Sequence, residues 1–426
     1  VHATGCLYSF FDGTEKTQHI DAAGRPFGET SFGGTMGCPF ALEHRIPVIR
    51  QRVEAFLKQY KAAGVDVDFI FADWEIDGPI EWNDAWASSK RCRRCREHVP
   101  DIHDFRSFQT KLREVRSRLQ REAFSDNVTR YFPEALVGNY AVYPHNGHRY
   151  WYDYFERETP DAPAMTDQRA RYREWAHEFE PCGYTFAMPV VYTWYPTFGW
   201  YDFEPKDYRW FYNMLLVASN AGQHTSRQTP IIPFVHWHTT APPDNPDPSV
   251  EQFSRENYQE LLWHTLLRGH DTFFLWCTGP ELATEIQLVH EVYRESLQYS
   301  GFIDRGVPVQ FEVPSRPGPV VSGLRLGNRV LARRTDFGTE TGNETLALAG
   351  GGEVSVAAKR GMQILTVEQT PGHPGILTDH NGRLRFPIGS YEFPGDREKL
   401  RRMAESGNLA VFRNCNFPQI GYPIPN

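Results

Sequence analysis

Up to about residue 300, short apolar runs alternate with longer segments in which apolar residues recur every three or four positions. The short runs are CLYSFF (6–11), DFIFADWE (68–75), ALVGNYAVY (135–143), YTFAMPVVYTW (184–194), PIIPFVHWH (230–238) and DTFFLWC (271–277). Their length and near-continuous hydrophobicity fit strands buried on both faces. The longer segments predict helices over about 46–63, 104–124, 166–179, 207–221, 253–268 and 281–298, the first of them closed by Gly64. Such alternation specifies an α/β fold, a parallel sheet covered by helices. No strand runs into a Gly-rich phosphate turn, so a (β/α)8-like (TIM) barrel is expected rather than a doubly wound dinucleotide fold. The six runs fall short of eight. Either two strands lie in the irregular segments, or the barrel is distorted, or an N-terminal piece lies outside this chain.

Beyond residue 305 the period changes. Short alternating runs, PVQFEV (308–313), VVSGLRL (320–326), RVLARRT (329–335), ETLALAGGGEVSVAA (344–358) and GMQILTV (361–367), are broken by Gly and Pro, and the glycines at 350–352 mark a hairpin. The expected organisation is a barrel over 1–305 followed by a C-terminal antiparallel β-sandwich domain over 306–426, with a short helix near 396–405.

Composition narrows the function classes. A net charge of −8 with Lys and Arg interspersed gives no basic face for nucleic acid. No run approaches the roughly 18 uninterrupted apolar residues of a membrane helix. The chain starts VHATGCLYSF, without an initiator Met or a basic, apolar leader. Export is left open by this, a secreted or periplasmic location being the favoured expectation. Aromatic residues make up 14%, gathered in YWYDYF (150–155), YTWYPTFGWYDF (192–203) and VHWH (235–238). Rings beside polar groups suit a ligand with an apolar face and a hydroxyl rim, a sugar above all, although rings under long loops are also ordinary core. No cofactor motif and no Gly-x-Ser-x-Gly elbow is present. The pattern does not fix an oligomeric state.

The candidate chemistry lies in FADWEIDGP (71–79). On a strand Asp73 and Glu75 share a face while Trp74 points away. At the C-terminal end of a barrel strand both carboxylates would enter one cleft. Two acids in a partly desolvated pocket separate in protonation, giving one acid and one base. Glycosidic cleavage requires that pair, one group protonating the leaving oxygen and the other meeting the developing positive charge. A lone Asp-x-Glu can equally cap a helix or hold a loop. The other strand ends offer Asp12, Tyr143, His145, Tyr192, Trp194, His236, His238 and Trp276, which with Trp74 form the expected substrate-binding set. Asp12 is the one opposite-side acid among them. Two mechanisms therefore stand: a conventional pair of Glu75 and Asp12, or a substrate-assisted reaction in which a 2-acetamido group attacks the anomeric carbon while Glu75 donates the proton and Asp73 steadies the acetamido. A carbohydrate-binding barrel without chemistry is the alternative from another class.

The run FIFADWEIDGPIEW resembles the hyaluronidases, with their aliphatic run, Asp-Trp-Glu and Trp-containing loop. LVGNYAVYPHN is similar to their strand ending in Gly-Tyr-Tyr, and TFFLWCTG to their late strand ending in Leu-Trp-Gly. The resemblance covers these short stretches and not the helices, and the family's disulfide cysteines have no counterparts. It implies a distorted barrel with fewer than eight strands, Glu75 as acid/base and Asp73 as acetamido partner. It further implies Tyr143 or Tyr192 as a hydroxyl near the sugar at the cleaved bond, and Trp276 as the floor beneath it.

Seven scattered cysteines do not form a disulfide framework. Cys92-x-x-Cys95, followed by His98 and His103, admits three readings: a structural clamp, since the loop resembles the Cys-x-x-Cys loops of several uncharacterised barrel glycosidases, a zinc site lacking the usual separation between pairs, or a thiol pair activated by neighbouring arginines. His236 and His238 alternate on one strand, with no carboxylate spacing that completes a metal triad, and suit hydrogen bonding to ligand or backbone.

Overall fold

A computed structural model describes residues 1–3, 7, 16–31, 34–74, 84–146, 178–192, 206–237, 252–276, 282–339, 341–349, 351–368, 388–390 and 410–412. Parallel strands laid side by side in chain order form its centre. β1 (Phe69–Ala72) pairs with β2 (Leu136–Asn139), Phe69 opposite Leu136 and Ala72 opposite Asn139. β3 (Val190–Val191), β4 (Phe234–Val235) and β5 (Phe274–Leu275) make a second parallel group. Between the groups, Thr185 donates its N–H to the Val137 carbonyl at 2.9 Å and Met188 to the Val142 carbonyl at 3.1 Å, while Ala187 bridges Ile231 in parallel ahead of β3 and β4. On the far side of β1, His2 bridges Phe71 in parallel. The run at 6–11, apart from Leu7, lies outside the described residues.

The side chains show that this sheet rolls up. In a flat sheet β1 and β5 would stand about 15 Å or more apart, since strands are spaced by roughly 4.8 Å. Yet the Phe69 and Phe274 rings are 4.6 Å apart, Phe71 lies 5.6 Å from both Phe274 and Phe234, and Phe69 lies 4.7 Å from Phe186. Phenylalanines from successive strands therefore fill one concave interior. Among the described residues no backbone ladder closes the roll, so the expected barrel is seen as a curled parallel sheet and not as a complete ring.

The outer face is covered by helices whose boundaries the sequence encodes. α1 (Arg45–Ala62) buries Ile49, Val53 and Leu57, four positions apart on one stripe. Gly64, at φ +67°, follows it in the left-handed conformation, and its N–H reaches the Lys61 carbonyl at 3.1 Å. The helix expected at 104–124 runs further. α2 (Phe105–Gln120) starts at Asp104, whose carboxylate accepts from the Arg106 and Ser107 N–H groups, and passes through a π turn (Arg121–Ser125) into Asp126–Tyr131. α3 (Lys206–His224), α4 (Arg255–Leu266, capped by Ser254) and α5 (Leu282–Ser296) match the remaining patterns. The pattern at 166–179 lies almost wholly outside the described residues, and 396–405 entirely so.

After a short helix ending at Arg305, β6 (Val307–Pro308), β7 (Pro319–Leu326) and β8 (Arg329–Asp336) pair antiparallel, and β9 (Met362–Thr366) completes a four-stranded sheet. A sandwich was expected here; the described residues show one sheet backed by helix α4. Polar contacts hold that sheet on the helix. Arg268, just past α4 and wholly buried, donates from Nε to Ser322 Oγ at 2.8 Å, from Nη1 to the Phe311 carbonyl at 2.8 Å and from Nη2 to the Glu312 carbonyl at 3.0 Å. His264 meets Ser322 Oγ at 2.8 Å and Thr335 Oγ1 at 3.0 Å, while Glu260 takes a two-pronged ion pair from Arg333 at 2.7 and 2.8 Å. Burial drives His264 well below its ordinary pKa, with the Arg268 and Arg333 charges adding to the effect. It stays neutral, and so can both donate and accept.

By contacts the chain divides into one unit of 1–344 with 356–364 and a second of 345–355 with 365–426. In the second, strands Glu344–Ala347 and Glu353–Val356 pair around Gly351 and Gly352, both at positive φ, and Ile388–Ser390 pairs in parallel with Ala410–Phe412.

One glycine sets the filling of the roll. A Cβ on Gly138 would stand 2.4 Å from two ring atoms of buried Phe186. We predict that Gly138→Ala costs about 1–3 kcal/mol by overpacking. Urea unfolding followed by tryptophan fluorescence checks this, and an unchanged midpoint would contradict the packing described.

Candidate functional site

β1 fixes the direction of the acidic stretch. Its alternation sends Phe69 and Phe71 into the concave interior and Ile70 and Ala72, both fully buried, to the helix side. The ladder continues past the strand: the Tyr140 N–H donates to the Ala72 carbonyl at 2.8 Å, and the Trp74 N–H donates to Asn139 Oδ1 at 2.8 Å. Asn139 Nδ2 in turn donates to the Trp74 carbonyl at 3.2 Å, and Arg116 Nη2 reaches the same carbonyl at 3.3 Å. With Trp74 clasped in this way, Asp73 carries on the Phe69–Phe71 face and Trp74 the helix-side face. Trp74 is 2% exposed, so its ring is core in this structure and not a ligand surface. Asp73 is partly buried, and burial pushes its carboxyl from the ordinary 3.8 up to about 6. Glu75 lies outside the described residues.

The next strand ends bring rings and a hidden acid together. Tyr140 and Tyr192 meet through their hydroxyls. The Tyr192 ring stacks on Trp276 at 5.5 Å with 20° between planes, and His236 stands edge-on to both, 6.0 Å from Tyr192 and 5.2 Å from Trp276. Behind them the fully buried Glu285 contacts His236 Nδ1 at 3.0 Å through Oε2, while its Oε1 accepts from the Trp237 N–H at 2.9 Å and from the Tyr258 hydroxyl at 2.8 Å. With Nδ1 turned to Glu285, the imidazole is fixed in rotation and presents Nε2 on the opposite edge of the ring. The cluster is a polar-edged aromatic wall backed by an oriented histidine. Tyr140, Tyr192 and His236 are buried, and Trp276, half-buried, is the member of the cluster that can stack the apolar face of a ligand ring.

No family model matches the chain, and no curated protein matches it. Among solved structures it is similar to the isomaltulose synthase from Protaminobacter rubrum, at 12% identity over 86% of this chain and 76% of that chain, with a TM-score of 0.34. It is similar also to the isomaltulose synthase from Erwinia rhapontici NX5, at 10% identity over 86% and 78% of the two chains, again with a TM-score of 0.34. Likeness of this degree assigns neither a fold nor an activity to the chain.

Of the residues singled out by sequence, Tyr192, His236 and Trp276 come together. Tyr143 and His145 form a separate buried pair, rings 5.0 Å apart, beyond a turn in which Ala141 takes the left-handed conformation at φ +56°. A non-glycine residue held there carries strain of about 1 kcal/mol or more. Asp12, Trp194 and His238 lie outside the described residues. His98 and His103 are both exposed; the former bonds the Arg94 carbonyl through Nδ1 at 2.8 Å and stacks on Phe40, so neither joins the buried Cys92 and Cys95.

Three residues escaped the sequence reading. Asn139 could have been found as an amide inside the apolar run LVGNYAV, where a buried polar group must have a partner. Glu285 could have been found as an acid on the apolar stripe of α5, in register with buried Leu288 and Val292. Tyr140 carried no such signal, because a tyrosine at a strand end is ordinary.

The raised Asp73 pKa has a signed consequence for stability. The folded state holds its proton more tightly than the unfolded chain, so stability falls as pH rises from about 4 to about 6 and the loss persists above. We predict that Asp73→Asn melts higher than wild type at pH 7–8 and that the difference vanishes below pH 4, as read by thermal scans across pH. An equal or lower melting point for the variant at pH 7–8 would show that Asp73 is stabilised as a carboxylate.

Proposed function

We propose that the protein is a carbohydrate-active enzyme that cleaves glycosidic bonds. The observation that carries this is Asp73: a carboxyl with a pKa of about 6, at the C-terminal end of a parallel strand, on the face that leads out of an aromatic interior. An extended chain continued to position 75 would put Glu75 on that same face. With a pKa of about 6, Asp73 is mostly a carboxylate at neutral pH and serves as the charged partner, which leaves the role of proton donor to Glu75 beside it. In the reaction proposed, Glu75 gives its proton to the glycosidic oxygen as the bond to the anomeric carbon breaks. The substrate's 2-acetamido oxygen forms the new bond to that carbon, Asp73 holds the acetamido N–H and balances its growing positive charge, and Glu75 then takes a proton from the water that opens the intermediate. The half-buried Trp276 supplies the ring against which the sugar lies, with the buried Tyr192 and His236 holding it from behind. The fold that goes with this reading is a (β/α)8-like barrel over 1–305 whose strand ends form the mouth, followed by a β-rich domain over 306–426.

A panel of polysaccharides and chromogenic glycosides incubated with the purified protein tests the reading. The expected result is release of reducing ends from a substrate containing 2-acetamido sugars, inhibited by a thiazoline that mimics the cyclised intermediate. Glu75→Gln is expected to lower turnover by roughly 10²–10⁴-fold while leaving sugar binding in place. Hydrolysis undiminished in that variant would remove Glu75 from the reaction. Hydrolysis confined to sugars without the acetamido group would replace the substrate-assisted route with a two-carboxylate one.

A further inference from the structure

Away from the strand ends, His19, Cys38, Cys92 and Cys95 converge from three separate stretches of chain, their ligand atoms all within 4.8 Å of one another and all four residues buried. Cys38 Sγ stands 3.4 Å from Cys95 Sγ and 3.9 Å from Cys92 Sγ, and Cys95 Sγ stands 3.7 Å from His19 Nδ1. Those separations are too long for a disulfide, whose sulfurs are about 2.05 Å apart. The three distances lie near those of a tetrahedral metal site. Zinc–sulfur bonds near 2.3 Å and zinc–nitrogen bonds near 2.0–2.1 Å at the tetrahedral angle put neighbouring ligand atoms roughly 3.6–3.8 Å apart.

We propose that the chain binds one structural Zn²⁺ through His19, Cys38, Cys92 and Cys95. Three thiolates and an imidazole are a common closed zinc donor set, and four protein ligands leave no position for water or substrate. The surroundings support ligation. The Ile20 N–H points at Cys92 Sγ from 3.4 Å, the kind of outer contact that steadies a thiolate. Cys92 stands just before the helical turn Arg93–His98 and Cys95 within it, so the Cys-x-x-Cys spacing places both sulfurs on one side of that turn. Arg94 on the same turn donates to the Lys16 and Gln18 carbonyls, both at 3.1 Å, and the Cys38 N–H donates to the Thr17 carbonyl at 2.7 Å. The three stretches are thus brought into register around the sulfurs.

The alternatives fit less well. A redox thiol needs access to its partner, and here every sulfur is buried. An apolar clamp has no use for an imidazole at its centre. The local architecture also has a need that a metal meets. The hairpins His19–Ile20 with Pro26–Phe27 and Glu29–Ser31 with Gly34–Met36 are two or three residues per strand, too short to hold their shape alone. A metal tied to Cys92 and Cys95 anchors them to the chain that follows β1.

Metal analysis of the full-length protein, purified without chelator from zinc-supplemented medium, tests the assignment. About one zinc per chain is expected, retained on dialysis and released when an organomercurial blocks the thiols. Replacing it with Co²⁺ should give the ligand-field bands of a tetrahedral site together with thiolate-to-cobalt charge transfer. Cys38→Ser and Cys95→Ser should lose the zinc, whereas His98→Ala and His103→Ala should keep it. If the cysteine variants do not fold, the wild-type stoichiometry and cobalt spectrum still decide. Metal-free protein, a different metal at the same stoichiometry, a disulfide mapped between any two of Cys38, Cys92 and Cys95, or full zinc retention in folded Cys38→Ser would overturn the proposal.

Discussion

Phe69 and Phe71 meeting Phe186, Phe234 and Phe274 is the contact on which the arrangement of the strand ends depends. Burying these rings against one another removes from water the largest apolar surfaces on the strands, and it can be done only if the sheet rolls. Once β1 is pinned with its phenylalanines inward, the period of two leaves the next residues little choice. Asp73 follows the interior face and Trp74 the helix side, and the Asn139 amide holds the Trp74 peptide so that this direction persists past the end of the ladder. The raised pKa of Asp73 follows from the same packing, because a carboxyl at the rim of an aromatic interior loses hydrating water.

Buried polar groups decide how the other elements attach. Glu285 gathers three donors from two strand and helix segments, orienting His236 beside Tyr192 and Trp276. Arg268, Glu260 and His264 do the same for the sheet that begins at Val307, which therefore packs on α4 as part of the first compact unit. A buried arginine or glutamate without partners would destabilise the fold by several kcal/mol, so each such network admits essentially one docking geometry. These groups act less as a source of net stability than as a selector among possible packings.

The cysteine cluster shows the same logic with softer ligands. Short hairpins near the N-terminus lack a core of their own, and a set of thiols and an imidazole at tetrahedral spacing stands where such a core would be. The two concentrations of unusual chemistry, at the strand ends and at the cysteines, flank the same chain segment that leaves β1.

Features that depend on neighbours along the chain were legible in the residues alone. The strand and helix alternation, the caps at Asp104 and Ser254, the left-handed Gly64, the inward side of Phe69 and Phe71, and the proximity of Cys92 to Cys95 all follow from local periodicity and backbone sterics, which act over a few residues. Only the tertiary structure decided which distant groups complete each site. His19 and Cys38, rather than the sequence-adjacent His98 and His103, join the cysteine pair across 76 and 54 residues, and Glu285 reaches His236 across 49. It also buried Trp74, and it set helix α4 against the sheet that begins at Val307. Periodicity gives a side chain its direction relative to its own element; what stands opposite is settled when the elements roll and pack, through burial and hydrogen bonding that no local window contains.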